Sequence, residues 1–410
     1  MLSVAEAQER IIRLAPLCEA VPRAALEAVG CVLAEDVASD IDSPPYDKSL
    51  VDGYAVRCSD LASTPVELRV LEEVTAGSVP TRAVEPGTAT RVMTGAPLPA
   101  GADAVVMVER TKLLQGTGSS EPATARVVIE GPTPQLGANI LHRAAAVRAG
   151  TVVYRAGHVL RPCDVGVLAE LGHTSVRVVA APTLAVVATG NELVPATQQP
   201  ELGQIRNSNG PMLAALAATA GVQPQVLGIA RDTVQDLRRL LGQGLQCDVL
   251  VLSGGVSVGV LDLVPRVLAE LGVAEVFHGV NLRPGKPLWF GSHGGATRPR
   301  LVFGLPGNPV SSLVCFELFV RPALRRMAGH AQVLPQPRVA RLAEVHQQRG
   351  DRPTYHPAVL TDESGPVVRP LRWQGSADLA ALAAANALAY FPGGDARYEP
   401  GHLVDTYPIL

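Results

Sequence analysis

"VLSGGVSVGVLD", residues 251–262, decides how the rest of the chain is read. The run "DVLVLSGG" that contains its start is apolar without alternation, as a strand covered on both faces reads, and then breaks into small residues that lead to a carboxylate. Glycines at a strand end permit positive φ and close approach of a ligand, and exposed backbone N–H groups there favour anions. The stretch predicts the carboxyl edge of a buried α/β sheet, where such sheets bind their ligands.

The flanking sequence repeats the pattern. "TLAVVATG" is a second apolar strand, and "NSNGPMLAALAATAG" a helix opened by an Asn/Ser cap. There follow the strand "QVLGIA", a helix over 234–241, "DVLVLSGG" itself and a helix over about 261–271. Strands near 276 and 288, the strand "RLVFGLPG" and a long helix over about 310–327 complete the series. This alternation predicts a right-handed parallel α/β sheet with helices on both faces.

Before it, residues 4–14 and 23–33 read as amphipathic helices joined through Pro16 and Pro22. A β-rich texture follows, with "VELRVLEEV" and "ARVVIEG", and then a helix over 162–171 with Gly172 as its C-cap. After Gly329 the chain is β-rich again, with one helical run in "ADLAALAAANAL".

With 47% hydrophobic and 18% charged residues in 410, several cores are expected. No apolar stretch reaches a membrane span of about 20 residues and the N-terminus lacks a signal-peptide layout, so the expected location is the cytoplasm. Six dispersed cysteines without a CxxC pair argue against a zinc site and a disulfide framework, and most are expected to be buried apolar residues. A net charge of −3 and 4% aromatic residues argue against nucleic acid as a partner. Lysine occurs only at Lys48, Lys112 and Lys286. A bias toward Arg accounts for the background, but two of the three fall in motifs quoted below, where a compact ammonium suits the site.

Three strand ends, "ATGNEL", "LSGGVSVG" and "GLPGNPVS", together predict a cradle for phosphate or another oxyanion. Carboxylates accompany them: Glu192, Asp232 and Asp262. Beside a phosphate they would repel it unless a divalent cation such as Mg²⁺ lay between. Each taken alone also reads as a helix N-cap, and for Asp232 both readings stay open.

The motifs then become specific. "PPYDKSLVDGYAVR", "RVMTGAPLPAGADAVVMVE", "ATGNELV", "NSNGPML", "VLSGGVSVG", "RPGKPLWFG", "GLPGNPVSS", "RPTYHPAVL" and "QGSADLAALAAANALAYFP" occur in the order and spacing of the molybdopterin molybdenumtransferase family, which includes the corresponding domain of gephyrin-type proteins. The chain resembles that family over essentially its whole length. The resemblance implies a multidomain α/β fold. A discontinuous α+β dimerisation domain would span 1–42 and 136–178, and a β-rich insertion or lid domain 43–135. A parallel three-layer molybdopterin-binding domain would span 179–329, and a barrel-like β domain 330–410.

It also implies the reaction: adenylylated molybdopterin and molybdate are substrates, AMP is released, and Mg²⁺ assists. Carried over by motif, the nucleotide-facing residues are Glu192, Asp232, Ser253, Gly254, Gly255, Ser257 and Asp262, with Glu192, Asp232 and Asp262 as metal ligands. The molybdate pocket is similar to one formed by Arg283, Lys286, Ser311, Arg352 and Ser376, several donors around one tetrahedral dianion. Pro306 and Pro309 would fix the shape of their loop. From the β insertion come Asp47, Lys48, Ser49, Asp52 and Thr94, facing the sheet edge of the other subunit of a homodimer. Asp52 and Thr94 join the three acidic residues as the catalytic set.

The chain departs from the family pattern at "GANILHRAAAV", where a basic residue becomes Leu141 and an acidic pair becomes Ala145 and Ala146. Pro265 replaces a lysine and Val260 a common glutamate. Two other readings follow: a cofactor-binding scaffold that has lost catalysis, and a molybdopterin adenylyltransferase, with which the family has a possible contact. The β insertion, Arg352 and Ser376 argue against the second.

Overall fold

The structure is a computed structural model that describes residues 1–114, 125–256, 263–295, 298–363 and 365–409. Contacts divide the chain into two units, Met1–Glu35 with Gly157–Pro162 and Ser175–Leu410, and Asp36–Ala156 with Cys163–Thr174.

The first unit is organised by a six-stranded sheet whose elements are β1 (Leu184–Thr189), α1 (Asn209–Thr219), β2 (Pro224–Ala230), α2 (Val234–Gly244), β3 (Val249–Ser253), α3 (Leu263–Glu270), β4 (Val273–His278), β5 (Trp289–His293), β6 (Arg300–Leu305) and α4 (Pro309–Cys315). The strand order is β2-β1-β3-β6-β5-β4. β2, β1, β3 and β6 are parallel, as expected. β5 and β4 extend this core as antiparallel strands, because residues 279–288 between them supply no helical crossover and the chain returns beside itself.

The unbroken apolar runs are two interleaved faces. Val186, Val249 and Val251 pack with Leu213 of α1 and Val310 of α4, whereas Val187, Leu250 and Leu252 pack with Leu237 of α2 and Val267 of α3. Successive strand residues point to opposite faces, so a strand with helices on both sides needs apolar residues at every position.

The long helix expected to end near 327 forms as α4, a π-helical turn at Phe316–Val320 and α5 (Arg321–Met327). Pro322 accounts for the interruption: it has no N–H to give the Leu318 carbonyl four residues back, and Gln8 Nε2 donates to that oxygen at 2.9 Å.

The N-terminal helix, Val4–Leu14, forms as expected, with Ser3 and Glu6 in a capping box. Residues 23–33 do not form the second helix. Ala20–Ala24 is a strand paired with Ser175–Val179, a 3-10 turn follows at Ala25–Ala28, and Val32 and Leu33 bridge to Val159 and Val178. The apolar spacing fits a helix, but pairing with the alternating "SVRVV" strand and the β-branched Val21, Val29 and Val32 outweigh it.

After α5 the chain closes a five-stranded barrel from Arg338–Leu342, Val367–Pro370, Thr354–Thr361, Ala387–Phe391 and Leu403–Pro408, which removes exposed sheet edges. His346 stacks on Phe391 with ring centroids 3.8 Å apart and meets His356 edge-on at 5.1 Å. Burial, and secondarily His356, push the His346 imidazole down from 6.5 to about 4. The folded protein therefore keeps His346 neutral where the unfolded chain would protonate it, so stability held above about pH 6.5 is lost as the pH falls toward about 4. Urea midpoints should decline across that window, and His346→Gln should flatten the decline. An unchanged slope in the variant would assign the acid sensitivity to other groups.

The second unit holds a mixed six-stranded sheet ordered Ala104–Met107, Gly53–Val56, Thr88–Val92, Val66–Val74, Arg126–Ile129 and Thr111–Leu114. The helix Pro162–Glu170 is followed by Gly172 at φ 78°, as its C-cap position anticipates. All six cysteines are free, but only Cys18, Cys247 and Cys315 are buried; Cys31 and Cys58 are partly exposed and Cys163 is exposed. The expectation of mostly buried cysteines fails because Cys31, Cys58 and Cys163 lie at a turn or helix start. Among the described residues no helix is long and apolar enough to cross a membrane.

Candidate functional site

A cavity of about 1200 Å³ opens at the carboxyl ends of β1, β3 and β6. From β1 the chain goes to β2 on one side and later to β3 on the other, so the cavity lies at the topological switch point, where the sheet leaves a natural crevice. The three glycine-rich strand ends converge there: Thr189, Gly190 and Glu192 from the first, Ser253, Gly254 and Gly255 from the second, Pro306 and Pro309 from the third.

The middle turn depends on glycine. Gly254 and Gly255 have φ of 92° and 68°. A Cβ on Gly255 would stand 2.6 Å from Val264 Cγ2 and 2.7 Å from Thr189 Oγ1. Gly255→Ala should therefore destabilise the protein by about 1–3 kcal/mol, measured by urea unfolding; wild-type stability would show that the turn relaxes freely. The Gly254 N–H donates to the Leu305 carbonyl at 3.0 Å, which sews the turn to β6 and takes that donor away from any ligand.

Glu192 and Asp232 also line the cavity. Gly190, at φ 147°, makes room for the first: the Glu192 carboxylate lies 2.4 Å from where a Cβ on Gly190 would be. Asp232 Oδ2 accepts from the Asn191 N–H, and the Asp232 N–H donates to Asn191 Oδ1, both at 3.1 Å. Thr233, not Asp232, caps α2, accepting from the Asp236 N–H. The N-cap reading of Asp232 is thereby excluded. Arg231 fastens the same loop by donating to the Asn191 and Leu193 carbonyls. Two exposed carboxylates on one wall suit a hard cation that shares its shell with phosphate and water. Ser257, Val260 and Asp262 lie outside the described residues, and among the described ones no cluster of three His, Cys, Asp or Glu could hold a metal.

The sequence reading missed Thr189 and Asn209 as site residues. Asn209 Nδ2 donates to Ser253 Oγ at 2.8 Å and to the Gly307 carbonyl at 2.6 Å, joining two of the three turns. Asn207 Oδ1, one residue ahead of the Ser208 N-cap position, accepts from the Gly210 N–H at 2.9 Å, which leaves the second asparagine of "NSN" without a capping role, a division that the run itself does not disclose.

Arg283, Lys286, Ser311, Arg352 and Ser376 are not on the cavity wall, although their neighbours Pro287, Asn308 and Ala377 are. Backbone bonds join the Arg283 segment to the Arg352 segment, and the Ser376 segment is held to the start of α4. The Arg283 N–H donates to Pro353, and Tyr355 donates back to Arg283, both at 2.8 Å. Gly285 packs on Cys315, one turn after Ser311, with room for no side chain. Ser376 Oγ accepts from Asn308 Nδ2 at 2.8 Å, and the Ser376 carbonyl from Val310 at 3.0 Å. Arg283 and Lys286 are exposed, Ser311 is buried.

In the second unit, Asp47, Lys48, Ser49, Asp52 and Thr94 are brought together. Lys48–Ser49 pairs with Ile140–Leu141, and Gly95, next to Thr94, donates to the Ser49 carbonyl. Asp52 Oδ1 accepts from the N–H and the hydroxyl of Thr94, both at 2.7 Å, and these bonds, the backbone one foremost, hold its carboxyl below the usual range. The Arg143 N–H does the same for Asp47, at 2.6 Å. Leu141, where the expected basic residue is absent, is the strand partner of Lys48; basic side chains remain at His142 and Arg143.

Three family descriptions match the chain in series: the MoeA N-terminal region (domain I and II) over residues 2–172, the "Probable molybdopterin binding domain" over 185–326, and the MoeA C-terminal region (domain IV) over 339–409. The chain is 34% identical over 410 residues to the curated molybdopterin molybdenumtransferase of Staphylococcus aureus (strain N315), covering 98% of this chain and 94% of that protein. The chain belongs to the molybdopterin molybdenumtransferase family. A Staphylococcus epidermidis (strain ATCC 12228 / FDA PCI 1200) relative of the same name is 33% identical over 412 residues, 99% of this chain and 95% of the relative. The crystal structure of molybdopterin biosynthesis moeA protein from Pyrococcus horikoshii OT3 superposes with a TM-score of 0.82 at 30% identity, each chain covered at 100%.

Within this family frame, the molybdopterin-binding match contains every cavity-lining residue except Ala377 and Leu379, which the C-terminal region contributes. The matches to the N-terminal and C-terminal regions disfavour the adenylyltransferase reading, which called for neither.

Proposed function

We propose that this chain inserts molybdenum from molybdate into adenylylated molybdopterin with release of AMP, a late step of molybdenum cofactor biosynthesis. The observation that carries the reading is the convergence of three glycine-rich strand ends with Glu192 and Asp232 in one cavity, in a chain whose curated relatives match it nearly end to end.

Glu192 and Asp232, joined by Asp262, would hold Mg²⁺, which when bound neutralises charge on the pyrophosphate linkage. The chain's own residues do the rest. Ser253, Gly254, Gly255 and Ser257 shape the phosphate site, and Pro306 and Pro309 rigidify the facing loop. Arg283, Lys286, Ser311, Arg352 and Ser376 offer the convergent charged and hydroxyl donors that a tetrahedral dianion needs. Asp47, Lys48, Ser49, Asp52 and Thr94 complete the site from the partner subunit of a homodimer. The protein works in the cytoplasm and makes contact with a molybdopterin adenylyltransferase.

Purified protein with adenylylated molybdopterin, Mg²⁺ and molybdate should release AMP in a molybdate-dependent manner. Binding of the pterin substrate without AMP release would replace this reading by that of a cofactor-holding scaffold, the role to which Ala145 and Ala146 point. Lys286→Ala should raise the molybdate concentration for half-maximal release by about tenfold, the loss of one charge-assisted contact. An unchanged requirement would remove Lys286 from the molybdate site.

A further inference from the structure

Thr189 and Asn209 line the cavity, and each carries one buried polar atom with no hydrogen-bond partner among the described residues, Thr189 Oγ1 and Asn209 Oδ1. Thr189 is 3% exposed and Asn209 8%. Unsatisfied buried side-chain atoms are uncommon in native proteins and call for a specific reason.

The Asn209 amide has one permissible orientation. The Gly307 carbonyl can only accept, so the atom facing it at 2.6 Å is Nδ2, which also faces Ser253 Oγ at 2.8 Å. The remaining oxygen, Oδ1, can only accept. Thr189 ends β1 beneath the Gly254–Gly255 turn, where its hydroxyl stands 3.2 and 2.7 Å from the positions that Cβ atoms on the two glycines would take. Both atoms thus sit among the phosphate-type turns, yet a carbonyl lone pair repels phosphate and molybdate oxygens. It is satisfied by an N–H or O–H donor, of which the N–H is the one a heteroaromatic ring edge carries. The same cavity is lined by Leu193, Ile205, Val256, Leu263 and Val264, apolar surfaces suited to the faces of a flat ring.

We infer that Thr189 and Asn209 form a subsite for the N–H edge of a heteroaromatic ring of the substrate, distinct in chemistry from the anion-binding turns around it. This deepens the function proposed above and rests on it. Adenylylated molybdopterin offers two such rings, the pterin and the adenine, and both carry N–H donors.

Thr189→Val is close to isosteric and removes only the hydroxyl. Wild type, Thr189→Val and Asn209→Ala are titrated calorimetrically with molybdopterin, with AMP and with inorganic pyrophosphate, and their thermal midpoints are compared. Thr189→Val should keep or raise the midpoint, since no described partner loses a bond. It should weaken one of the two ring ligands about tenfold, the size of one hydrogen bond, while pyrophosphate binds as before; the ligand that responds identifies the ring. Asn209→Ala should weaken the same ligand and also lower the midpoint, because Ser253 and Gly307 lose their donor. Wild-type affinity of Thr189→Val for both ring ligands, equal weakening for pyrophosphate, or a lowered midpoint in that variant would each overturn the subsite while leaving the proposed reaction standing. Failure of the wild type to bind either ring ligand would overturn both.

Discussion

Glu192→Gln is expected to lower molybdate-dependent AMP release by about 10²–10³-fold, the rate equivalent of the several kcal/mol that a positioned divalent cation supplies to a phosphoryl centre. The Glu192 carboxylate lies over the end of β1 in space that only Gly190 leaves open, on the wall of the cavity that Asp232 also lines. The side chain is exposed, and the bond that anchors the residue runs from the Ile205 N–H to the Glu192 carbonyl at 2.8 Å. Glutamine keeps the shape and that bond but removes the charge, so thermal stability should match the wild type. The loss should be partly recovered by raising Mg²⁺. If turnover at limiting Mg²⁺ were unaffected, Glu192 would not be a ligand and its place above Gly190 would need another explanation.

Asp232→Asn is a less clean probe, because Asp232 also braces the loop through its reciprocal bonds to Asn191. The contrast shows what the sequence could and could not reveal. "DVLVLSGG" and "TLAVVATG" were legible as strands covered on both faces because Val249–Leu252 and Leu184–Ala188 are apolar at every position, and their glycine ends could be placed at the sheet's carboxyl edge from strand polarity alone. The supports of that edge were not legible. Nothing in the motif around Arg231 says that its guanidinium spans two carbonyls of a loop 38 and 40 residues away. Residues 23–33 were misread for a related reason: their apolar spacing suits a helix, and the strand that pairs with Arg23 and Ala24 and bridges to Leu33 begins at Ser175, beyond the reach of any local pattern. Thr189 and Asn209 were missed because threonine at a strand end and asparagine at a helix start each have an ordinary structural use. Only the geometry shows that another residue already performs the capping.

The second large effect concerns stability. Glu317→Ala should cost about 3–5 kcal/mol, as breaking one side of a buried ion pair does. Arg321 donates twice to Glu317, at 2.6 and 2.8 Å, with the two side chains 8% and 10% exposed. Its Nη2 also donates to Thr219 Oγ1 at 3.0 Å, and its guanidinium lies 5.5 Å from the centre of the Phe316 ring. Without Glu317 the guanidinium remains in the interior with one neutral partner and no counter-charge. The thermal midpoint should fall by about 10 °C for a unit of this size. Replacing both partners by apolar residues, as in Glu317→Leu with Arg321→Met, should restore most of the loss, since the penalty lies in the orphaned charge and not in the missing attraction. A double variant as unstable as the single one would mean that the pair contributes through its geometry. That geometry has a functional reach: α1 begins at Asn209 and α4 at Pro309, both on the cavity wall, and the Arg321 to Thr219 bond ties the far end of α1 to the start of α5, in the same helical run as α4. The apolar double variant, which keeps the packing but not this tie, should therefore bind substrate more weakly even where its stability is recovered.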